Sequence, residues 1–143
     1  MPLLTKNFSL GELTRSYTAK VLRLDNTPDE ASTERLRLLC RKILQPLRNA
    51  WGFPIMVNSG YRSRDVNRHV GGVSNSDHLY GCAADISVGS VANKRLFSLA
   101  VEMMKSGELQ DVKQIIDEKN YSWIHISMQD GRTKKRNEVL HLK

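Results

Sequence analysis

Residues 76–88 read SDHLYGCAADISV and join a polar loop to a buried strand. The second part, Cys82 to Val88, alternates small, apolar and one acidic residue, which is typical of a short buried strand. The first part ends a stretch from Ser59 to Gly81 that is rich in Gly, Ser, Asn and Asp, which predicts a loop. His78 therefore falls on the loop, and Asp85 falls in the strand.

The residues before this stretch predict a short helix and a strand. Ser9 and Glu12 have the spacing of a capping box, so a short helix is expected at residues 10–14. Residues 55–60 predict a short strand that runs into the polar loop. Inside the loop, a helix is expected only at residues 65–70.

A longer helix is expected between these elements. Thr27 is predicted as its N-cap and Pro28 as its first residue, where the missing N–H costs nothing. Pro46 should bend or shorten the last turns before Ala50. The apolar residues that recur at helical spacing are Leu36, Leu39, Cys40, Ile43, Leu44 and Leu47.

The residues after the buried strand predict one more helix and a hairpin. Residues 93–105 carry an apolar stripe and are followed by Ser106 and Gly107, which predicts a helix that ends there. Residues 112–117 and 122–128 resemble two strands of a hairpin. Residues 138–142 form a possible last strand after the basic segment Arg132–Arg136.

This order of elements indicates the fold class. Helices at residues 29–50 and 93–105, with several short strands in the second half, predict an α+β fold in a single domain. We expect a small antiparallel sheet that packs against the helices. The 143 residues suit one domain of ordinary size.

The charge of the chain restricts its partners. Lys and Arg number 22 against 15 Asp and Glu, which gives a net charge of +7 and predicts an anionic partner or surface. The basic residues are spread over the main helix and the tail without a helix-turn-helix, zinc-finger or RNA-stacking signature. A nucleic-acid partner is therefore not predicted, and the charge by itself does not name the anionic partner.

Hydropathy and cysteine content exclude further classes. No apolar run reaches the ~20 residues of a membrane span. Residues 1–10 lack the apolar core of a cleavable signal, so we expect nothing in this chain to export it. Cys40 and Cys82 are expected to be buried free thiols, because no CxxC pair supports a redox role.

Three residues, one in the polar loop and two in predicted buried strands, suggest a metal site. Asp85 lies among Ala83, Ala84 and Ile86 in a strand that reads as buried, where a carboxylate is costly unless it is paired or binds a metal. His125 is flanked by Trp123, Ile124 and Ile126 in another such strand. Together with His78 they offer two nitrogens and one carboxylate, a set that suits zinc and leaves a fourth position for water.

Ordered motifs along the chain resemble a known family. They are Ser59-Gly60-Tyr61-Arg62-Ser63, Asn67-Arg68-His69-Val70-Gly71-Gly72, Ser76-Asp77-His78 with Gly81 and Ala84-Asp85, and Trp123-Ile124-His125-Ile126-Ser127. Together they resemble the zinc D-alanyl-D-alanine carboxypeptidase family, and in particular its small single-domain, endolysin-like enzymes that cut peptidoglycan peptides. The resemblance covers residues 8–128 and leaves the basic tail outside. It implies a hedgehog-type, DD-peptidase-like fold.

The resemblance also implies roles for individual residues. One zinc ion would be bound by His78, Asp85 and His125, and would activate a water molecule for hydrolysis. Arg62 matches the arginine that such enzymes aim at the substrate carbonyl or carboxylate. Many relatives carry their general base at the position of Ser122, which cannot act as one here. Glu118 matches the acidic residue that closer relatives carry at the end of the preceding strand, so the resemblance implies Glu118 as the general base, with Asp117 in reserve.

Two more residues are predicted near the substrate. Ser76 is expected to order the loop or to contact the substrate. Tyr61 is expected either to line the substrate groove or to pack in the core or at the rim. His69 and His141 are expected to be structural or exposed.

The resemblance leaves the function open in three ways. A carboxypeptidase acting on D-Ala-D-Ala is the first expectation, and an endopeptidase that cuts L-Ala-D-Glu or a cross-bridge is the alternative. A non-catalytic wall-binding or phage structural module is the third, although the intact ligand set argues against it. The enzyme is expected to be a monomer whose substrate lies outside the cytoplasm, as for a phage-type enzyme released by a holin.

Overall fold

A five-stranded sheet forms the centre of the computed structural model, which describes residues 2–143. The described residues form seven strands in two sheets: β1 (Leu3–Thr5), β2 (Phe8–Ser9), β3 (Met56–Ser59), β4 (Ala83–Ser87), β5 (Val112–Glu118), β6 (Trp123–Met128) and β7 (Glu138–Leu142). The helices are α1 (Leu10–Thr14), α2 (Tyr17–Leu22), α3 (Glu30–Leu39), α4 (Gln45–Trp51), α5 (Arg64–His69) and α6 (Asn93–Lys105). A π-helical turn (Cys40–Leu44) joins α3 to α4, and a 3₁₀ turn (Asp77–Tyr80) precedes β4.

The central sheet has the order β3-β4-β6-β5-β7, while β1 and β2 form a separate two-stranded ribbon. Neighbours in the central sheet are antiparallel except β5 and β7, which are parallel. The predicted α+β class is confirmed. The expected antiparallel sheet is in fact mixed, because the chain crosses over after β6 and β7 adds to the outer side of β5.

The two faces of the central sheet carry different kinds of residue. Alternate residues of β4, β5 and β6, such as Ile86, Ile115 and Ile126, are buried against the helices. The residues between them, such as Asp85 and His125, point to the opposite face, because side chains alternate along a strand. One face therefore builds the core and leaves the other free for a site.

The start of the core helix differs from the prediction. Asp29, not Thr27, is the N-cap of α3, and its carboxylate accepts a hydrogen bond of 2.7 Å from the Ser32 N–H. The Thr27 N–H donates to Asp25 Oδ1 at 2.9 Å, so Thr27 belongs to the preceding turn. An aspartate at the cap also places a negative charge at the positive end of the helix.

Pro46 follows a π-helical turn, and the helix continues to Trp51 rather than ending early. The Gln45 N–H reaches the carbonyl of Cys40, five residues back. Pro46 has no N–H to donate to Lys42, and the Lys42 carbonyl accepts from the Gln110 N–H at 3.2 Å instead. The wider turn therefore accommodates the proline without leaving this carbonyl unpaired.

Several other local predictions are confirmed. The Ser9–Glu12 capping box is present, and α6 has the predicted bounds. Both cysteines are buried and free, and burial raises the pKa of each thiol to about 12. Within residues 2–143, no helix combines the length and apolar character of a membrane span.

Gly81 offers a test of how tightly the 3₁₀ turn packs on the core helix. Its φ is +76°, and an added Cβ would overlap the carbonyl oxygen of Ser32 in α3. Gly107 has φ +82° with open space around it, so it serves as a control for backbone strain alone. We expect Gly107→Ala to lower the free energy of unfolding by about 1–2 kcal/mol. Gly81→Ala should cost about 1–3 kcal/mol more, and equal costs in urea unfolding would contradict this packing.

Candidate metal centre

The ring of His78 is held in one orientation by the loop. Ser76 caps the 3₁₀ turn, and its Oγ accepts from the His78 N–H at 3.2 Å. His78 Nδ1 lies 2.6 Å from the carbonyl oxygen of Gly60, just after β3. A carbonyl only accepts, so Nδ1 carries the proton and Nε2 keeps a free lone pair.

That lone pair has no hydrogen-bond partner within residues 2–143, although Nε2 is buried. It faces Asp85, whose Oδ1 lies 3.3 Å away. An unpaired buried nitrogen is costly in a folded protein, and such an atom needs an explanation. A ligand bound at Nε2 would supply one.

Asp85 and His125 come together through the register of the sheet. The two residues lie directly opposite each other on β4 and β6. His125 Nδ1 lies 3.0 Å from Asp85 Oδ1, and the rings of His125 and His78 are 5.2 Å apart. One ligand atom from each of the three residues lies within 4.8 Å of the other two, the one such group of three that the described residues contain.

The charge states of this cluster suit a metal ligand set. Burial lowers the pKa of His78, which favours the neutral imidazole. Burial by itself raises the pKa of Asp85, but the neighbouring imidazoles of His78 and His125 outweigh it and hold the pKa below its usual range. A neutral imidazole and an ionised carboxylate are the forms that coordinate a metal.

The donor atoms therefore fit a metal ion. Two imidazoles and one carboxylate form a three-ligand set of the kind found in catalytic zinc sites, where a fourth position stays open. The buried Nε2 of His78 and the close approach of three potential ligands support the same interpretation. The structure brings together all three residues that the sequence predicts as ligands.

A cleft of about 610 Å³ opens over the cluster. Its lining includes the cluster itself and the side chains of Arg62, Ser76, Lys113, Gln114, Ile116, Glu118, Trp123 and Lys135. A second pocket, of about 270 Å³, shares Arg62 and Asp85 with the cleft. These two residues therefore line two open regions of different size.

Glu118 and Asp117 lie on opposite faces of β5. Glu118 lines the cleft, where partial burial raises the pKa of its carboxyl group. Asp117 is buried away from the cleft, and accepts from the Tyr121 N–H at 2.5 Å while its Oδ2 lies 3.1 Å from His141 Nδ1. The structure places the predicted base at the cleft, and it does not bring the reserve candidate there.

Arg62 reaches the cluster from the loop after β3. Its backbone N–H donates to the His78 carbonyl at 3.0 Å, so the two segments position each other. In the part of the chain that the structure describes, its buried Nε has no hydrogen-bond partner. A Cβ at Gly72 would overlap the side-chain amide of Asn67 and lie 3.0 Å from Arg62 Nη1, so the glycine leaves room for both side chains.

The two predicted substrate contacts have different positions. Ser76 lines the cleft, but its hydroxyl caps the turn that carries His78. Tyr61 does not line the cleft, and its ring packs against the core. Its neighbour Arg62 lines the cleft, and Gly60 just before them packs closely on the Leu13 backbone, where a Cβ would not fit.

Sequence patterns did not indicate Lys113 or Lys135 as cleft residues. Strict alternation along β5 would place Lys113 on the face opposite Gln114. The register of β5 and β6 shifts between Val112 and Gln114, and this irregularity brings Lys113 to the cleft. Lys135 lies in the tail, which the resemblance left outside the domain core.

Comparisons with known proteins agree with this geometry. A family model described as peptidase M15 matches residues 6–127. A stretch of 48 residues is 56% identical to a zinc D-Ala-D-Ala carboxypeptidase of Streptomyces albus G. The stretch makes up 33% of this chain and 19% of that relative, so the chain matches about a fifth of the relative's length.

The cluster predicts that the purified protein binds one divalent metal ion per chain. His125→Ala should abolish this binding, because only two ligands remain. His69→Ala is the matched control, since His69 is exposed and its ring contacts the Asp65 carbonyl. The metal content per chain is measured for both variants after gel filtration. Full occupancy in His125→Ala, or equal loss in both variants, would contradict the assignment.

Proposed function

The chain belongs to the peptidase M15 family, and on that premise we propose that it is a zinc-dependent D-Ala-D-Ala carboxypeptidase acting on peptidoglycan stem peptides. Family membership confirms the resemblance and the prediction of a peptidase. The observation that carries the proposal is the cluster of His78, Asp85 and His125, with the unpaired lone pair of His78 Nε2 directed into it. The name of the Streptomyces relative supports zinc and the D-Ala-D-Ala substrate.

The three ligands would hold the ion at the base of the cleft. When bound there, zinc supplies Lewis acidity and makes water a better nucleophile near neutral pH. His78 would contribute Nε2, because its Nδ1–H donates to Gly60. Asp85 would contribute its carboxylate, whose pKa lies below its usual range.

Glu118 is proposed to move the proton. Its carboxylate would accept a proton from the attacking water and return it to the amine of the departing residue, so that peptide and water yield two shorter products. Partial burial raises the pKa of Glu118, which brings the group closer to the working pH of a general acid and base. Among the described residues, the carboxylates that line the cleft are Glu118, Asp77 and the ligand Asp85. Asp77 is engaged in ion pairs, so Glu118 is the one that is left to act as the base.

Arg62 is proposed to bind the negative charge of the substrate. Its free guanidinium stands where the cleft and the smaller pocket meet, close to the cluster. A terminal carboxylate in the smaller pocket would pair with it, while the rest of the stem peptide occupies the larger cleft. In the same position the guanidinium also stabilises the oxyanion of the tetrahedral intermediate.

Replacing the proposed base should separate chemistry from metal binding. Glu118→Gln should lower kcat on the order of 10²- to 10⁴-fold, and it should leave the zinc content unchanged because Glu118 is not a ligand. Asp117→Asn is the control, since Asp117 lies on the other face of β5 and its contacts tolerate an amide. A Glu118→Gln enzyme with wild-type kcat would contradict the role.

The substrate assignment is tested with defined muropeptides and mass spectrometry. A pentapeptide ending in D-Ala-D-Ala should lose one D-Ala. The amidated form should be cut poorly, because it lacks the carboxylate that Arg62 binds. Cleavage between L-Ala and D-Glu, or at a cross-bridge, would contradict the carboxypeptidase and support the endopeptidase.

Arg62→Ala should raise KM for the free-acid peptide by about 10- to 100-fold, the effect of losing a hydrogen bond to a charged group. It should also lower kcat, because the guanidinium stabilises the oxyanion. The same variant should no longer distinguish the acid from the amide. Arg64→Ala is the matched control, because Arg64 is exposed at the start of α5 and does not line the cleft. Equal discrimination by wild type and Arg62→Ala would overturn this role.

A further inference from the structure

A buried ionic network holds the turn that carries His78, and the proposed mechanism does not use it. The Asp77 side chain is only 7% exposed, although it directly precedes the ligand. Its carboxylate accepts from Lys113 Nζ at 2.8 and 3.1 Å and from Arg132 Nη2 at 2.7 Å. The network joins the 3₁₀ turn to β5 on one side and to the tail on the other.

Arg132 contacts the turn at both of its ends. Its guanidinium bonds to Asp77, the first residue of the turn, and lies 3.9 Å from the ring centre of Tyr80, the last residue. Its Nε donates to Asp130 Oδ2 at 2.8 Å, which orients the guanidinium plane. A planar guanidinium can bond in its plane and stack on its face at the same time, which a lysine cannot do.

The charges of the network balance within a small space. Two carboxylates, Asp77 and Asp130, face two cations, Lys113 and Arg132. Burying Asp77 costs free energy unless its charge is paired and its oxygens are hydrogen-bonded. Without Arg132, Asp77 would keep Lys113, but the turn would lose its link to the tail and its contact at Tyr80.

The 3₁₀ turn also sets the geometry of the metal cluster. His78 must keep Nδ1 at the Gly60 carbonyl for Nε2 to face Asp85, and the His78 carbonyl also accepts from the Arg62 N–H. A shift of the turn would therefore move a metal ligand and the substrate-binding arginine together.

We propose that Arg132 is a positioning residue that fixes the turn of His78 for metal binding. The inference rests on the proposed function, since it concerns the same zinc site. Arg132 lies beyond residue 127, where the family match ends. The tail therefore takes part in building the metal site rather than following it as a loose basic segment.

The test compares Arg132→Ala with Arg136→Ala. Arg136 lies in the same segment, carries the same charge and pairs with Asp111 at 3.0 Å, away from the turn. Zinc affinity is measured by competition with a chromophoric chelator, and the unfolding temperature is measured on the metal-free proteins. We expect Arg132→Ala to weaken zinc binding by about 10- to 100-fold, as is typical when a supporting contact of a metal ligand is lost. Arg136→Ala should bind zinc as the wild type does.

Each outcome decides the proposal. Wild-type zinc affinity in folded Arg132→Ala, or an equal loss in Arg136→Ala, overturns it, and so does a lower unfolding temperature without a change in zinc affinity. If Arg132→Ala does not fold, Arg132→Lys keeps the charge beside Asp77 but not the stacking on Tyr80, and wild-type affinity in that variant overturns the proposal. A wild-type protein that binds no zinc would instead contradict the proposed function.

Discussion

The pairing of Asp85 with His125 across β4 and β6 is the constraint on which the site depends. The two residues face each other in the sheet, with Ile86 and Ile126 turned to the core on either side. A slip of one residue would turn one ligand into the core, so burial of the isoleucines fixes the metal cluster as well. The same sheet sets the other parts of the site, because β3 leads to the carbonyl that orients His78 and β5 ends at Glu118.

Much of the fold could be predicted from local patterns. The capping box at Ser9 and the apolar stripe of residues 93–105 are local signals, and the elements they predict are present. The N-cap at Asp29 was missed because Thr27 is also a good cap, and only the turn at Asp25 decides between them. The parallel place of β7 depends on distant contacts, which periodicity does not report. The strands β1 and β2 and the helix α2 are too short to show a periodic pattern.

The residues of the site also differ in how far local sequence patterns predict them. Burial patterns alone pointed to Asp85 and His125, since an ionisable group in an apolar strand needs a partner, whereas the roles of Arg62 and Glu118 came from the family resemblance. The motif around Tyr61 left open whether its ring lines the groove or packs inward, and in the structure the ring packs on the core. The network around Asp77 joins residues 77, 113 and 132, and no spacing in the sequence indicates it. Lys113 and Arg132 are thereby paired inside the molecule rather than offered to a partner, and because the network is neutral, the net charge of +7 comes from the rest of the chain.

The proposed zinc site at the base of the cleft, formed by His78, Asp85 and His125, is tested most directly by anomalous diffraction. Crystals are grown from protein purified without added metal, and data are collected on both sides of the zinc absorption edge. One anomalous peak per chain is expected, bonded to His78 Nε2, the Asp85 carboxylate and a ring nitrogen of His125. A zinc peak bound elsewhere, or a fully occupied cluster whose peak does not respond to the zinc edge, would contradict it.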